Sequence, residues 1–534
     1  MQLDELIEKL RSPAAYPHEV DGEIVVHQTH ISVVFLAGDY AYKFKKPVDL
    51  GFIDYSTLAK RRHFCEREVE LNRRLAPDVY LGVVPLCRSG SALEIDGEGD
   101  PVEWAVKMVR LAEEDTLEHR LAAGEVDAAT MRRLAAHIAS FHQQARAGED
   151  IARYGRLDVV AGNARENFEQ TAEHVGRTVH RDVYERARRL TEDELERRAE
   201  LIERRADEGV PRDTHGDLRL DHVYFDDGEF TIVDCIEFND RFRYADPVAD
   251  MAFLVMDLEF VGRRELAAEF ADAYFAAYDD AQGRQLLAHY VAYRAVVRAK
   301  VEGIRATDTE AGDRARSQAM RKARAHWLLA LGRLETTECR PAMVLIGGLP
   351  GTGKSTVAGE LAERANFEVI DTDVVRKELA GLDPDEPARA DYGEGIYTSE
   401  WSEKTYAECL RRAEELLFEG GRVIIDATFN SDERRQMFLE SARRCGVPGL
   451  FVALETREET ARERLDARQG GASDADWETY MAMREAWQAG SGNVDRYTVP
   501  VSAEGEVDEV VGRVSEVVAE RRLAACGARR PSSP

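Results

Sequence analysis

At 534 residues, with domains running to roughly 100–200 residues each, the chain is too long for one small core and is expected to divide. Hydrophobic residues at 44% and charged residues at 32%, with 16 Pro and 39 Gly, exclude collagen-like, low-complexity and wholly disordered classes. Lys and Arg number 72 against 101 Asp and Glu, a net charge of −29, which disfavours nucleic acid or an anionic membrane as partner and favours a small molecule.

The opening MQLDELIEKLRSP lacks a basic start followed by an apolar run, and no stretch approaches roughly 18 apolar residues, so neither export nor a membrane span is expected. The seven cysteines are scattered with no CxxC pair, which argues against a disulfide framework or a zinc knuckle and fits a reducing cytoplasm.

From Gly22 to Leu111 the pattern is mostly short strands: EIVVHQTHISVVFLAG, DYAYKFKKP, VYLGVVPL, SALEID and PVEWAVKMVRL. A helical stretch from Leu58 to Leu75 interrupts them. Ala41-Tyr42-Lys43 has the A-x-K shape of a strand lysine that reaches nucleotide phosphates, and strand alternation puts Lys45 on the same face. Such a lysine needs a helix carboxylate. Glu68 is in register with Phe64, Leu71 and Leu75 on the apolar face, whereas Glu66 and Glu70 face solvent.

From Thr116 to about Glu208 the chain reads as charged helix, followed by HGDLRLDHVYF and GEFTIVDCIEF, two short strands around a loop, and then helices to about Leu334. Asp217 in the loop and Asp234 at the end of the second strand are the pairing in which one carboxylate orients an acceptor hydroxyl and the other binds Mg²⁺. In this order the residues resemble the aminoglycoside phosphotransferase and choline kinase-like fold, a relative of protein kinases, over about residues 22 to 335. The resemblance implies Asp217 as base, Asp234 as Mg²⁺ ligand, His215 as loop organiser, and Asp246 and Asp250 as braces. That family places a Mg²⁺-binding Asn five residues after the base, where this chain has His222. A neutral imidazole can ligate a metal, but Mg²⁺ prefers oxygen. The site is therefore either active with an altered second metal position or a regulatory pseudokinase. No GxGxxG precedes the strand pair, so Thr29, His30 and Ser32 of HQTHISVVF would cover the phosphates.

A boundary is expected between Thr336 and Pro341. Beyond it strand and helix alternate, which means a parallel sheet covered by helices on both faces. Gly348-Leu349-Pro350-Gly351-Thr352-Gly353-Lys354-Ser355, followed by Thr356, matches GxxxxGK[ST] between the apolar strand Met343 to Ile346 and a helix. Glycines let the amides point inward at an anion, Lys354 supplies a point charge, and the Ser355 hydroxyl joins a Mg²⁺ shell. Asp426 closes the buried strand RVIID, either as a second Mg²⁺-linked acid or as a cap. Asp373 and Arg376, spaced i, i+3, lie side by side on a helix start, either as base and substrate holder or as an N-cap with an exposed arginine. Arg464 and Arg468 share a helix face, as lid residues or solvated charge. GGLPGTGKST, DTDVVRKEL, IIDATF and ERLDARQGGASDAD together resemble the AAA-type P-loop kinases related to polynucleotide kinase, zeta toxins and gluconate kinases. That implies phosphoryl transfer from ATP to a hydroxyl, with Asp373 as base and Arg464 and Arg468 as lid residues.

The chain is thus expected to be a two-domain α/β and α+β protein. Residues 1–335 form a bilobal protein-kinase-like domain, 336–522 a P-loop kinase, and 523–534 a disordered tail. ATP and Mg²⁺ are the expected cofactors, and a small-molecule hydroxyl the acceptor. The alternatives are a polynucleotide 5′-hydroxyl kinase in the second domain and a nucleotide-binding pseudokinase in the first.

Overall fold

The computed structural model describes residues 3–51, 53–90, 92–308, 312–383, 394–467, 473, 475–521 and 523. Arg468 and all of the expected tail except Leu523 lie outside the described residues. The chain forms two compact units: residues 1–160, 198–258 and 263–290 make unit 1, and residues 161–197, 259–262 and 291–534 make unit 2. Among the described residues no helix is long and apolar enough to cross a membrane.

Unit 1 opens on a six-stranded antiparallel sheet of β1 (Val25–Gln28), β2 (Ser32–Ala37), β3 (Tyr40–Lys45), β4 (Tyr80–Ser89), β5 (Ala92–Ile95) and β6 (Pro101–Val109), in the order β1-β2-β3-β6-β4-β5. Phe35, Tyr42, Phe44, Leu86 and Ala105 alternate onto one buried face with Leu6, Leu10 and Tyr16. The helix Leu58–Asn72 ends three residues before the expected Leu75. It buries Cys65 and Val69 against Tyr80 and Val106. Its first turn is closed by Thr57, whose hydroxyl accepts from the Lys60 amide at 3.3 Å. Thr57→Ala is expected to cost about 1 kcal/mol, typical of a lost N-cap, read as a small fall in the melting temperature of unit 1.

The remaining strands of unit 1 are short: β7 (Arg212–Asp213) pairs with β10 (Tyr244–Ala245), and β8 (Val223–Asp226) pairs with β9 (Glu229–Ile232). The β8–β9 hairpin carries the HGDLRLDH loop on one side and Asp234 on the other.

Unit 2 holds a five-stranded parallel sheet of β11 (Ala342–Gly347), β12 (Glu368–Asp371), β13 (Arg422–Asp426), β14 (Gly449–Glu455) and β15 (Thr498–Ser502), ordered β12-β13-β11-β14-β15. Every residue of β11 and β13 is buried, as expected for strands covered on both faces. Val357 and Leu361 of the helix Lys354–Ala365 and Val510, Val511, Val514 and Val518 of the helix Val507–Glu520 share one core with these strands. The helices Ser399–Phe418 and Asp432–Arg444 also pack on the sheet, against β13 and β14. The α/β fold class with its parallel C-terminal sheet is as expected from the sequence. The register sets Ile346 and Asp371 each beside Asp426, so both acids stand at the carboxyl end of the sheet, next to the loop that leaves β11.

Candidate functional sites

In unit 1, β3 pairing with β2 and β6 fixes Lys43 opposite Val34 and Val106. Lys43 and Lys45 lie on one strand face two residues apart, and Glu68, wholly buried on the facing helix, takes both. The Lys43 ammonium is 2.8 Å from one Glu68 oxygen and 2.6 Å from Asp234 Oδ1. Lys45 is 2.7 Å from the other Glu68 oxygen and also pairs with Glu237, which accepts from the Tyr55 hydroxyl at 2.6 Å. Burial works against the charge on Lys43, yet Asp234, Glu68 and Glu237 outweigh it and hold its proton well above the ordinary lysine range. Burial likewise opposes the Asp234 charge, and the Lys43 ammonium reverses that and keeps the carboxyl well below its usual range.

Asp234 has left-handed backbone at φ 64°, a conformation costly for a residue with a side chain, and its amide donates to the Tyr80 hydroxyl at 3.1 Å. Asp250 organises the loop, accepting from the amides of His215 and Gly216 at 3.0 and 2.8 Å. Burial pushes His215 down to about 4, so it is neutral near pH 7, and its Nε2 donates to the Val233 carbonyl at 2.9 Å. Asp246 instead pairs with the buried Arg205, at 2.6 Å. Asp217 and Asp234 are brought together across His222: Nδ1 lies 3.6 Å from Asp217 Oδ2 and Nε2 lies 3.7 Å from Asp234 Oδ2. The HQTH segment runs from the end of β1 into the β1–β2 turn, where Thr29 Oγ1 accepts from the amides of Ile31 and Ser32.

In unit 2 a cavity of about 640 Å³ is lined by Pro350 through Thr356, by Asp371, Asp373, Arg376 and Asp426, and by Arg464. Glycine is required where the loop turns. At Gly351, φ is 80° and a Cβ would stand 2.7 Å from the Ala461 carbonyl; at Gly348, φ is 150° and a Cβ would stand 2.5 Å from the Leu454 carbonyl. Leu349 gives its carbonyl to the Thr352 hydroxyl and to Lys354 Nζ, at 2.8 and 3.2 Å. Burial pushes the Asp426 carboxyl up to about 7 against the pull of Lys354, and Asp371 adds to the rise. Ser355 donates to that carboxyl, and Asp371 is raised by burial and by Asp373.

Asp373 stands in the first turn of the helix Thr372–Leu379, whose N-cap is Asp371, with the Asp373 amide donating to Asp371 at 2.7 Å. Arg376 is buried rather than exposed. It donates to the Ile396 carbonyl and the Ser402 hydroxyl and lies over Tyr397, with Nε unpartnered. Arg464 reaches the phosphate loop, donating to the carbonyls of Thr352 and Ala503 at 3.3 and 3.0 Å.

Sequence reasoning passed over four contributors. Lys45 and Glu237 complete the buried charge cluster, and the same-face alternation with Lys43 was the signal for the first. Asp371 lies within the DTD run next to the residue singled out. Arg434 lines the cavity over the ring of Tyr406, and nothing local in ERRQ separates it from a solvated arginine.

Residues 58–290 match the family model described as "Phosphotransferase enzyme family", and residues 343–489 match one described as "AAA domain". The uncharacterized proteins Rv2004c and MT2060 of Mycobacterium tuberculosis are each 36% identical over 485 residues, covering 89% of this chain and 93% of theirs. Among solved structures, a gluconokinase from Sinorhizobium meliloti 1021 is similar at 21% identity, covering 34% of this chain and 94% of its own, with a TM-score of 0.26. A shikimate kinase from Aquifex aeolicus vf5 is similar at 18% identity, covering 34% and 98%, with a TM-score of 0.24. The length and identity of the match to the mycobacterial proteins, together with the two domain matches, place this chain in their family, with an aminoglycoside-phosphotransferase-like domain followed by an AAA-type P-loop kinase domain.

Proposed function

We propose that the chain is an ATP-dependent phosphotransferase with two sites, each transferring the γ-phosphate of Mg·ATP to a hydroxyl of a small molecule of sugar, amino sugar or aminoglycoside-like type. The observation that carries the reading is the arrangement in unit 2. There the phosphate loop, the acid pair Asp371 and Asp426, and a carboxylate with an arginine, Asp373 and Arg376, line one cavity. In this reading Gly348 through Thr356 wrap the phosphates, and Lys354 and Arg464 meet their charge. Asp373 takes the acceptor proton and Arg376 holds the acceptor. Ser355 and Asp426 offer oxygen donors suited to Mg²⁺, which when bound neutralises phosphate charge.

In unit 1, Lys43, oriented by Glu68, reaches the α and β phosphates, Asp234 and His222 face the metal, and Asp217 is the base. As segments of sequence the modules are residues 1–335 and 336–522, working in the cytoplasm.

The test is to incubate the protein with γ-labelled ATP and a panel of sugars, amino sugars, aminoglycosides and a 5′-hydroxyl oligonucleotide. Label is expected on a small molecule, only with a divalent cation present, and not on the oligonucleotide. Label on the oligonucleotide alone would replace this reading with a polynucleotide kinase, and nucleotide binding with no transfer to any acceptor would replace it with a sensor.

A further inference from the structure

Unit 1 presents a nitrogen where a two-oxygen Mg²⁺ site would present an amide oxygen, and the local hydrogen bonding shows how that nitrogen is used. His222 Nδ1 lies 2.9 Å from the main-chain oxygen of Asp217. A carbonyl only accepts, so Nδ1 carries the hydrogen, and in the neutral ring Nε2 is a bare lone pair. That lone pair faces Asp234 Oδ2 at 3.7 Å, too far for a hydrogen bond.

The other Asp234 oxygen is already taken by Lys43 at 2.6 Å, so Oδ2 is the one turned to the imidazole. Two electron-pair donors thus face each other beside a carboxylate whose side chain is 45% exposed and open to an entering ion. Fixing one ring nitrogen on a carbonyl so that the other presents its lone pair is how metal-binding imidazoles are oriented. Cis donors on a cation with bonds near 2.1 Å stand about 3.0 Å apart, so a closure of some tenths of an ångström joins the pair to one ion.

Mg²⁺ takes oxygen ligands and dehydrates reluctantly, whereas an imidazole nitrogen suits first-row transition ions, of which Mn²⁺ is the one that also takes the carboxylate and phosphate oxygens a nucleotide site supplies. Among the described residues no group of three His, Cys, Asp or Glu side chains is placed to hold a metal, so the remaining donors here must come from the nucleotide phosphates and water. We propose that His222 Nε2 and Asp234 Oδ2 form a nitrogen–oxygen cation site that selects Mn²⁺ over Mg²⁺ as the nucleotide-bound metal of unit 1. This rests on the reading of unit 1 as a nucleotide site.

The test uses the full chain with Mn²⁺ and a non-hydrolysable ATP analogue, read by pulsed electron paramagnetic resonance. A histidine nitrogen coupling to Mn²⁺ is expected, changing isotope pattern when the histidines carry ¹⁵N and disappearing in His222→Asn. By calorimetry, His222→Asn is expected to lower the ratio of Mn²⁺ to Mg²⁺ affinity by about tenfold, the low end for losing even an outer-shell metal partner. Mn²⁺ and nucleotide bound without a histidine coupling, or a coupling that survives His222→Asn, overturns the proposal. The oxygen donors of the P-loop site cannot give that signal. In a Lys354→Met background, where the P-loop site is weakened, failure of Mn²⁺ and the analogue to bind at all overturns the nucleotide reading of unit 1 instead.

Discussion

Asp217→Asn and Asp373→Asn are each expected to lower phosphoryl transfer by about 10²–10⁴, the range for losing a positioned general base, and each at its own site alone. Asparagine keeps the shape and the hydrogen-bond reach of aspartate but cannot take a proton at neutral pH. Asp217 is flanked by His222 Nδ1 at 3.6 Å and Arg219 at 3.8 Å, which hold its carboxylate in place while its side chain stays 28% exposed to an incoming hydroxyl. Asp373 sits in the first turn of the helix Thr372–Leu379, on the wall of the phosphate-loop cavity. Neither residue belongs to the phosphate loop or to the Lys43–Glu68 pair, so the loss should fall on kcat while the KM for ATP holds within about twofold. Steady-state kinetics with the acceptor identified by the labelling panel would check it. A variant that raises the KM for ATP and spares kcat would mean that the carboxylate binds nucleotide or metal rather than the reacting proton.

The P-loop half was the more legible in the sequence, for a physical reason. GxxxxGK[ST] is one contiguous loop whose glycines are forced by backbone geometry, as at Gly348 and Gly351, where a Cβ would strike a carbonyl. The order of apolar strands around it then followed from unbroken hydrophobic runs such as MVLIGG. The kinase-like half depends on residues separated by up to 192 positions that meet only in the fold, Lys43 with Asp234 and Lys45 with Glu237. Periodicity identified Glu68 as inward-facing, but it could not separate Lys43 from Lys45, because both lie on one strand face and both reach the same carboxylate. It also could not supply Glu237 or Tyr55, whose positions follow from the turn after Asp234 and the segment before the helix. Arg376 shows the opposite limit: its spacing left exposure open, and packing over Tyr397 together with bonds to Ile396 and Ser402 decided for burial.

Glu68→Ala is expected to destabilise unit 1 by about 3–5 kcal/mol, the usual penalty for removing one member of a buried ion cluster, and to abolish transfer from that unit while sparing the P-loop site. Glu68 is wholly buried, and its two oxygens serve two lysines, Lys43 at 2.8 Å and Lys45 at 2.7 Å. Without it, Lys45 retains Glu237, whereas among the described residues the ion pair left to Lys43 is that with Asp234. In the proposed reaction that is the wrong partner, since a lysine drawn onto Asp234 would be withdrawn from the phosphates and would occupy the carboxylate proposed to meet the metal. Glu66 and Glu70, on the same helix, provide the control: their side chains are 52% and 67% exposed, and their pairs with Arg62 and Arg67 lie in solvent. Such pairs contribute roughly 0–1 kcal/mol, so alanine at either should change stability by less than about 0.5 kcal/mol. Calorimetry reads the loss of stability, and the labelling assay separates the two activities. Loss of stability with transfer from unit 1 intact would make Glu68 a purely structural counter-ion and break its link to Lys43 function. Loss of transfer with an unchanged transition would instead show that Lys45 and Glu237 alone hold the cluster together.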